Sequence, residues 1–260
     1  MSVAALFDIH GNLPALDAVL AEVKSAGADR IVVGGDTVPG PWPRETIDRL
    51  LEVDLPMQFI HGNCERAVLA QMAALGGAPV TYWGTTSGNP LPAKDLATMR
   101  WTAEQLGPDD ERLFASWEKT LRLEIPGIGP TLFCHGTPRS ETEIVLKTTP
   151  VEKLLPLYEG LGVALVVCGH THMQYDRMVG NTRIVNSGSV GAPIGNTGAF
   201  WTLLGPEVQL RRTDYDVAKT AESARATHHP NAADQAKNLL TPPSEQEMLE
   251  VFGKFEVGKV

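Results

Sequence analysis

Val3-Ala4-Ala5-Leu6-Phe7 is a short continuous apolar run, the pattern of a strand buried on both faces. Leu13, Leu16, Val19, Leu20 and Val23 then recur at helical spacing, and Gly27 stands where a helix stop is expected. Ile31-Val32-Val33 forms the next buried strand and breaks at Gly34-Gly35. A helix over 43–53 follows, then a strand over 57–60. This β-α-β-α-β order predicts parallel strands joined by right-handed crossovers. Ligands of such sheets bind at the carboxyl ends of the strands, and here each of the three strands is followed by polar residues.

Residues 76–95 hold seven Gly or Pro in twenty positions, which predicts a long loop. A helical stretch carrying Trp101, Leu106, Leu113, Phe114 and Trp117 comes next, so 76–118 reads as a lid or substrate wall. Leu121–Ile125 and Thr131–Phe133 flank Pro126-Gly127-Ile128-Gly129-Pro130 and predict a hairpin. A helix over 151–161 leads to a strong buried strand over 163–167. Short strands over 174–179, 182–185, 200–204 and 208–212 follow, so this half is expected to be mostly antiparallel. From Asp214 the chain reads as helical and peripheral, with Met248, Leu249, Phe252 and Phe255 near helical spacing.

Composition narrows the classes. With 260 residues, 43% hydrophobic and 20% charged, the chain is globular rather than disordered. Thirty-one acidic against 22 basic residues give a net charge of -9. That argues against long nucleic acid or an anionic membrane as partner, because both would repel the chain. Three scattered cysteines exclude a disulfide framework. The first apolar run ends at Asp8, so neither a signal peptide nor a membrane span is expected, and the cytoplasm is the expected compartment. Histidine is the odd residue: there are seven, and four of them fall inside short motifs.

Those motifs are Asp8-Ile9-His10-Gly11-Asn12, Gly35-Asp36, Gly62-Asn63-Cys64-Glu65, His135-Gly136 and Gly169-His170-Thr171-His172. In extended chain, residues i and i+2 project from one face, so Asp8 with His10 and His170 with His172 form convergent pairs. Any one motif is a common turn. Seven N/O donors, each at the end of a buried strand or the start of a polar turn, are what a dinuclear metal site needs. Imidazole, carboxylate and amide donors without thiolate favour Mn²⁺, Fe or Zn²⁺ over Ca²⁺ or Mg²⁺.

In this order the motifs resemble those of the calcineurin-like metallophosphoesterase superfamily. The opening motif, Gly62-Asn63-Cys64-Glu65 and Asn186-Ser187-Gly188-Ser189-Val190-Gly191 resemble its small bacterial and archaeal phosphodiesterase-type branch. The resemblance covers residues 1–212 and implies a four-layer α/β/β/α sandwich of two mixed sheets. Residues 213–260 would be a helical extension on the core or on a partner subunit, as in a homodimer. Asp8, His10 and His172 would hold one metal, Asn63, His135 and His170 a second, and Asp36 would bridge them. Asp36, Asn63 and His135 would also act in catalysis. Mn²⁺ leads, with Fe, Zn²⁺ or Ni²⁺ as alternatives. A hydroxide shared by the ions would attack phosphorus in line, cleaving phosphodiesters or phosphoanhydrides of a small, nucleotide-like substrate. The alternatives are a phosphomonoesterase, including a protein serine/threonine phosphatase, and a non-catalytic scaffold.

Two positions depart from the family pattern. The asparagine motif commonly continues with a His that assists the leaving group, and here it continues with Cys64. A thiol is a weak donor and carries no positive charge, so substrates with good leaving groups are favoured. Ser187 stands where relatives often have Pro, which puts a ligand-binding role for that loop in doubt. Asn12 is expected to stabilise the first loop, His61 to be structural, and Cys134 and Cys168 to be small buried hydrophobes. His228 and His229 are read as surface residues. Arg66 and Arg139 fit a phosphate clamp or a solvated surface equally well.

Overall fold

In the computed structural model, which describes residues 1–259, the first apolar run becomes β1 (Val3–Leu6), with every residue buried. Alternation splits it between two cores, with Val3 and Ala5 in one and Ala4 and Leu6 in the other. Asn12 Oδ1 accepts from the N–H of Ala15 (3.2 Å) and caps α1 (Leu13–Ser25), as expected of a loop-stabilising residue. Then come β2 (Arg30–Val33), α2 (Pro43–Leu51), β3 (Met57–Phe59) and α3 (Asn63–Leu75). Beyond the loop, α4 (Ala93–Gln105) and α5 (Pro108–Ala115) pack on α3 around Met99, Phe114 and Trp117.

The hairpin forms as β4 (Thr120–Ile125) and β5 (Gly129–Cys134), followed by α6 (Val151–Tyr158) and β6 (Leu165–Cys168). Next are β7 (Tyr175–Val179), β8 (Thr182–Asn186), β9 (Ala199–Leu204) and β10 (Val208–Thr213). Helices α7 (Val217–Arg225), α8 (Ala232–Leu240) and α9 (Glu245–Phe252) end the described chain. Among the described residues no helix is long and apolar enough to cross a membrane.

The strands form two mixed five-stranded sheets, ordered β10-β9-β1-β2-β3 and β4-β5-β6-β8-β7. Val3, Ala5, Phe7 and Val32 of the first meet Phe133, Leu165, Val167 and Val185 of the second in a shared core. The opposite faces are covered by α1 on the first sheet and α6 on the second, giving four layers, α/β/β/α. The second half needs one refinement. Its hairpins β4–β5, β7–β8 and β9–β10 are antiparallel, but β5, β6 and β8 run parallel at the sheet centre. The α6 crossover carries the chain back to start β6 beside β5, and β7 lies outside β8, so the β6–β8 connection also returns in parallel.

The C-terminal segment lies on the core of its own chain. Met248, Leu249 and Phe252 of α9 pack on Ile144, Leu146, Met173 and Ile194. Glu256 accepts from Thr149 Oγ1 (2.6 Å), which fastens the chain just beyond α9.

Candidate metal centre

Asp8 and His10 follow β1, Asp36 follows β2, and Asn63 follows β3; His135 follows β5, and His170 and His172 follow β6. Parallel pairing therefore delivers all seven sequence-predicted residues to one end of the two sheets. The backbone there is strained. Asp8 (φ 54°), His10 (48°), Asp36 (52°), His170 (66°) and His172 (59°) are the non-glycine residues in the left-handed region among the described residues. Each costs about 1–2 kcal/mol. Five such residues at one place mark a site whose geometry its surroundings enforce.

Backbone hydrogen bonds do the enforcing. The N–H groups of Asp8, His10 and Gly11 donate to the carbonyls of Gly35, Asp36 and Thr37 at 3.0, 2.9 and 2.8 Å. The loop after β8 closes the other side: Gly191 N–H (3.0 Å) and Ser189 Oγ (2.7 Å) both donate to the Asp8 carbonyl. Ser187, the residue in a Pro position, is buried and its Oγ donates to Ala5 O (3.1 Å), so side-chain hydroxyls as well as backbone fasten this loop to β1 and the site. Two glycines seat the carboxylates. A Cβ on Gly62 would stand 2.1 Å from Asp36 Oδ1, and one on Gly169 would stand 2.4 Å from Asp8 Oδ2.

The side chains converge. Asp8 Oδ1 is 3.3 Å from His172 Nε2, 3.8 Å from His135 Nε2 and 3.9 Å from His10 Nε2. Asp36 Oδ2 is 3.5 Å from His135 Nε2 and 3.9 Å from His10 Nε2. Asn63 Oδ1 lies 3.1 Å from His135 Nε2. Donor atoms of Asp8, His10 and His172 lie within 4.8 Å of one another, as do those of Asp36, His135 and His170. Carbonyls aim two of the rings: Gly34 O is 2.9 Å from His135 Nδ1, and Ala192 O is 2.7 Å from His172 Nδ1. Each fixes a donating Nδ1–H and turns Nε2 inward.

The two buried carboxylates set the protonation of the imidazoles that face them. Burial alone would push Asp36 up, but His135 beside it holds it well below the usual carboxylate range. Asp8 is likewise held down by His172 against burial. Burial would lower His135, yet Asp36 and Asp8 lift it to about 10, and Asp8 lifts His172 in the same way. Burial takes His10 and His170 down to about 4, helped by the neighbouring imidazoles His172 and His135 respectively. Two buried carboxylates thus draw positive charge wherever a group can carry it. Asp8 Oδ1 is fully buried and has no hydrogen-bond partner. A carboxylate oxygen without a donor, ringed by three imidazole nitrogens, fits a divalent cation.

Two neighbours of Asn63 do work that spacing did not show. Glu65 is fully buried, and its carboxylate accepts from the N–H groups of Gly62 (2.7 Å), Asp36 (2.9 Å), Thr37 (2.6 Å) and Val38 (3.4 Å). Burial, and Asp36 nearby, push it up to about 7 against the N–H groups of Gly62 and Asp36 and the charge of His135. The three-residue step from Gly62 to Glu65 is half of a capping box, which is the signal that could have found it. The expected donor set contained no thiolate, and Cys64 changes its outline without adding one. Its Sγ lies within 4.8 Å of donor atoms of His10 and Asp36, but burial and Asp36 push the thiol far up, so it stays protonated.

Other expectations resolve as follows. Arg66 pairs with Glu141 and stacks on Tyr82 at 4.0 Å, while Arg139 pairs with Glu143 (2.7 Å), so both are anchored to carboxylates. Cys134 and Cys168 are buried. His61 donates its N–H to the carbonyl of Glu118 (3.0 Å) and belongs to none of the convergent donor groups. The surface reading of His229 is corrected. It is buried, its Nδ1 accepts from Asn231 N–H (3.2 Å), and its ring meets Trp101 edge-on at 5.2 Å. The flanking Pro230 marked a loop, and the loop folds inward against α4.

Relatives share this architecture. Uncharacterized protein MJ0912 of Methanocaldococcus jannaschii is 25% identical over 244 residues, covering 85% of this chain and 90% of that protein. The crystal structure of hypothetical protein PH1004 from Pyrococcus horikoshii OT3 is similar with a TM-score of 0.74 at 22% identity, over 92% of this chain and 97% of that one. A metallophosphoesterase from Sphaerobacter thermophilus is similar with a TM-score of 0.67 at 23% identity, over 92% and 99%. These two likenesses concern the fold. The sequence model of the calcineurin-like phosphoesterase superfamily domain matches residues 1–204, which takes in every motif at the strand ends. The chain belongs to the calcineurin-like phosphoesterase superfamily, a family of metal-dependent phosphoester hydrolases.

Proposed function

We propose that the chain hydrolyses phosphodiester or phosphoanhydride bonds of small, nucleotide-like substrates with the help of two divalent metal ions. Asp8, His10 and His172 would hold one ion, Asn63, His135 and His170 the other, and Asp36 would serve both. The observation that carries this reading is Asp8 Oδ1, buried, without a donor, and surrounded by three imidazole nitrogens. Nitrogen and oxygen donors of this kind suit Mn²⁺ first, with Fe, Zn²⁺ and Ni²⁺ as alternatives. Such ions supply positive charge for the phosphoryl oxygens and make an attacking water acidic near neutral pH.

The chain's own residues orient and limit this chemistry. Gly34 O and Ala192 O hold the rings of His135 and His172, so both Nε2 atoms are already aimed at the centre. At the family's imidazole position the Cys64 thiol already donates to Asp36 Oδ2 (2.9 Å), leaving no proton donor there for a departing oxygen. That favours substrates whose leaving group departs unaided. A net charge of -9 favours a small phosphorylated substrate over a long nucleic acid.

The test is a hydrolysis panel with added Mn²⁺. It compares p-nitrophenyl phosphate, bis-p-nitrophenyl phosphate, cyclic nucleotides, dinucleoside polyphosphates and a phosphopeptide. Diesters or anhydrides should exceed the monoester and the phosphopeptide by roughly tenfold or more in kcat/KM. Turnover of none of them overturns the hydrolase reading, and preference for the phosphopeptide replaces it with a protein phosphatase.

A further inference from the structure

The loop between α3 and α4, which the sequence marks as a lid or wall, touches one of the proposed metal ligands. A helix of 13 residues advances about 20 Å, so chain leaving α3 at Leu75 must run back along it to reach Asn63 at its start. Residues 82–86 complete that return. They are half-buried, whereas 76–79 and 87–90 are exposed. Tyr82 stacks on the Arg66 guanidinium (4.0 Å) and its Oη donates to Glu141 Oε1 (2.7 Å). Thr86 Oγ1 donates to the Thr142 carbonyl (2.7 Å). Between these anchors the Gly84 carbonyl accepts from Asn63 Nδ2 (3.2 Å). The loop thus joins the helix that begins at Asn63 to the segment that follows His135.

The contact matters because an amide has two unlike ends. Asn63 Oδ1 can bind a cation, and Nδ2 with its two hydrogens cannot. The ends have nearly the same shape, so a half-turn of the amide exchanges them at little steric cost. Here Oδ1 faces His135 Nε2 at 3.1 Å. Nδ2 has two acceptors, Gly84 O at 3.2 Å and Cys64 Sγ at 3.5 Å, and sulfur is the weaker of them. After a half-turn Oδ1 would meet the Gly84 carbonyl, oxygen against oxygen, and the N–H groups would point toward His135. The Gly84 carbonyl therefore selects the orientation that can bind metal. Glycine suits this approach: its φ is +70°, and a Cβ would stand 3.1 Å from the Asn63 carbonyl oxygen.

We propose that Gly84 is a positioning residue for the second metal site, its carbonyl holding the Asn63 amide oxygen toward the ion, with Tyr82 and Thr86 anchoring the loop that carries it. The inference rests on the two-ion reading. An ion at Asp8, His10 and His172 has no such dependence, so the loop governs occupancy of one position and not of the other.

The test titrates Mn²⁺ calorimetrically into the metal-free full chain, with electron paramagnetic resonance to separate a coupled pair of ions from an isolated one. The proteins are the wild type, Gly84→Ala, Thr86→Val, Asn63→Asp, and Asn63→Asp combined with Gly84→Ala. Gly84→Ala is expected to weaken the second ion about threefold to tenfold, the worth of one hydrogen bond, and to leave the first unchanged. Thr86→Val loosens the loop without touching Gly84 or Asn63 and should act in the same direction. In Asn63→Asp either oxygen can face the ion, so adding Gly84→Ala should cost nothing. A merely structural role of the loop would not respond to that exchange. Unchanged affinities in both loop variants, a loss shared by both ions, or the same loss in the Asn63→Asp background overturns the positioning role and leaves the two-ion reading standing. A wild type that binds fewer than two ions overturns that reading and the inference with it.

Discussion

Cys64 Sγ lies 2.9 Å from Asp36 Oδ2 and donates its thiol hydrogen to it, while the Cys64 N–H donates to Asp36 Oδ1 at 2.9 Å. One residue therefore fixes both oxygens of the carboxylate that faces both donor groups. The thiol is a positioning group for Asp36 and has no second hydrogen to offer a leaving oxygen. Since Cys64 also lines a cavity of about 540 Å³ together with His10 and His172, an imidazole there has room to reach substrate. Cys64→His should raise turnover of a simple alkyl phosphate monoester by at least about tenfold, a fraction of the roughly 10²–10⁴-fold of a fully positioned general acid. Steady-state kinetics with glycerol phosphate decides it, and unchanged turnover would end the leaving-group explanation.

The same contact predicts thiol chemistry. Burial and Asp36 push the Cys64 thiol up, burial does the same to Cys134, and burial takes Cys168 to about 12. All three cysteines should be silent to Ellman's reagent at pH 8 in the folded protein and should react in denaturant. Rapid labelling of any one of them in the native state would contradict the burial and the hydrogen bond.

Asp36 has donor atoms in reach of His10 on one side and of His135 and His170 on the other. Its replacement should therefore disturb both metal positions, whereas loss of Asn63 disturbs one. Asp36→Asn is expected to lower kcat/KM on the order of 10³-fold, against roughly 10–100-fold for Asn63→Ala. Metal content of the purified variants supplies an independent reading: Asp36→Asn should retain less bound metal than Asn63→Ala. Equal retention would argue against a bridging role.

Much of this arrangement was legible in the sequence because its determinants are local. Val3–Phe7 and Ile31–Val33 are apolar runs ending at Asp8 and Gly34-Gly35, so the strand and its terminal ligands are read together. The i, i+2 pairs Asp8/His10 and His170/His172 are likewise visible within three residues. What escaped depends on residues far apart in the chain. The Cys64 thiol contact spans 28 positions, and the Thr98–Asn231 bond that joins α4 to the C-terminal segment spans 133. His229 looked like a loop residue because nothing beside it shows that Trp101 would cover it. The parallel centre of the second sheet escaped for a related reason. Strand spacing marks the hairpins but not which strand the α6 crossover returns beside.

Glu65 ties the second strand end to the third, accepting from Asp36, Thr37 and Val38 as well as from Gly62. Glu65→Gln keeps the volume but offers one acceptor oxygen and turns an amide donor toward amide donors. A loss of about 2–3 kcal/mol in unfolding free energy is expected. Urea denaturation measures it, and a loss below about 0.5 kcal/mol would mean that the four bonds are not a fastening of the fold.

His229 gives the fold a pH dependence of definite sign. Burial against Trp101 takes its pKa from 6.5 down to about 4. Between these values the unfolded chain takes up a proton that the folded chain refuses. The unfolded state therefore gains stability as pH falls from 6.5 to about 4, and the folded state is favoured again as pH rises through the same window. With allowance for partial solvent access, the effect is about 1–2 kcal/mol. Other groups titrate in this range, so the wild type is compared with His229→Gln, which keeps an acceptor for Asn231 N–H without the charge. Melting temperature should fall more for the wild type than for the variant between pH 7.5 and pH 4.5, by roughly 2–4 °C for each kcal/mol. Parallel curves for the two proteins would show that His229 stays accessible to protons in the folded state and would return it to the surface.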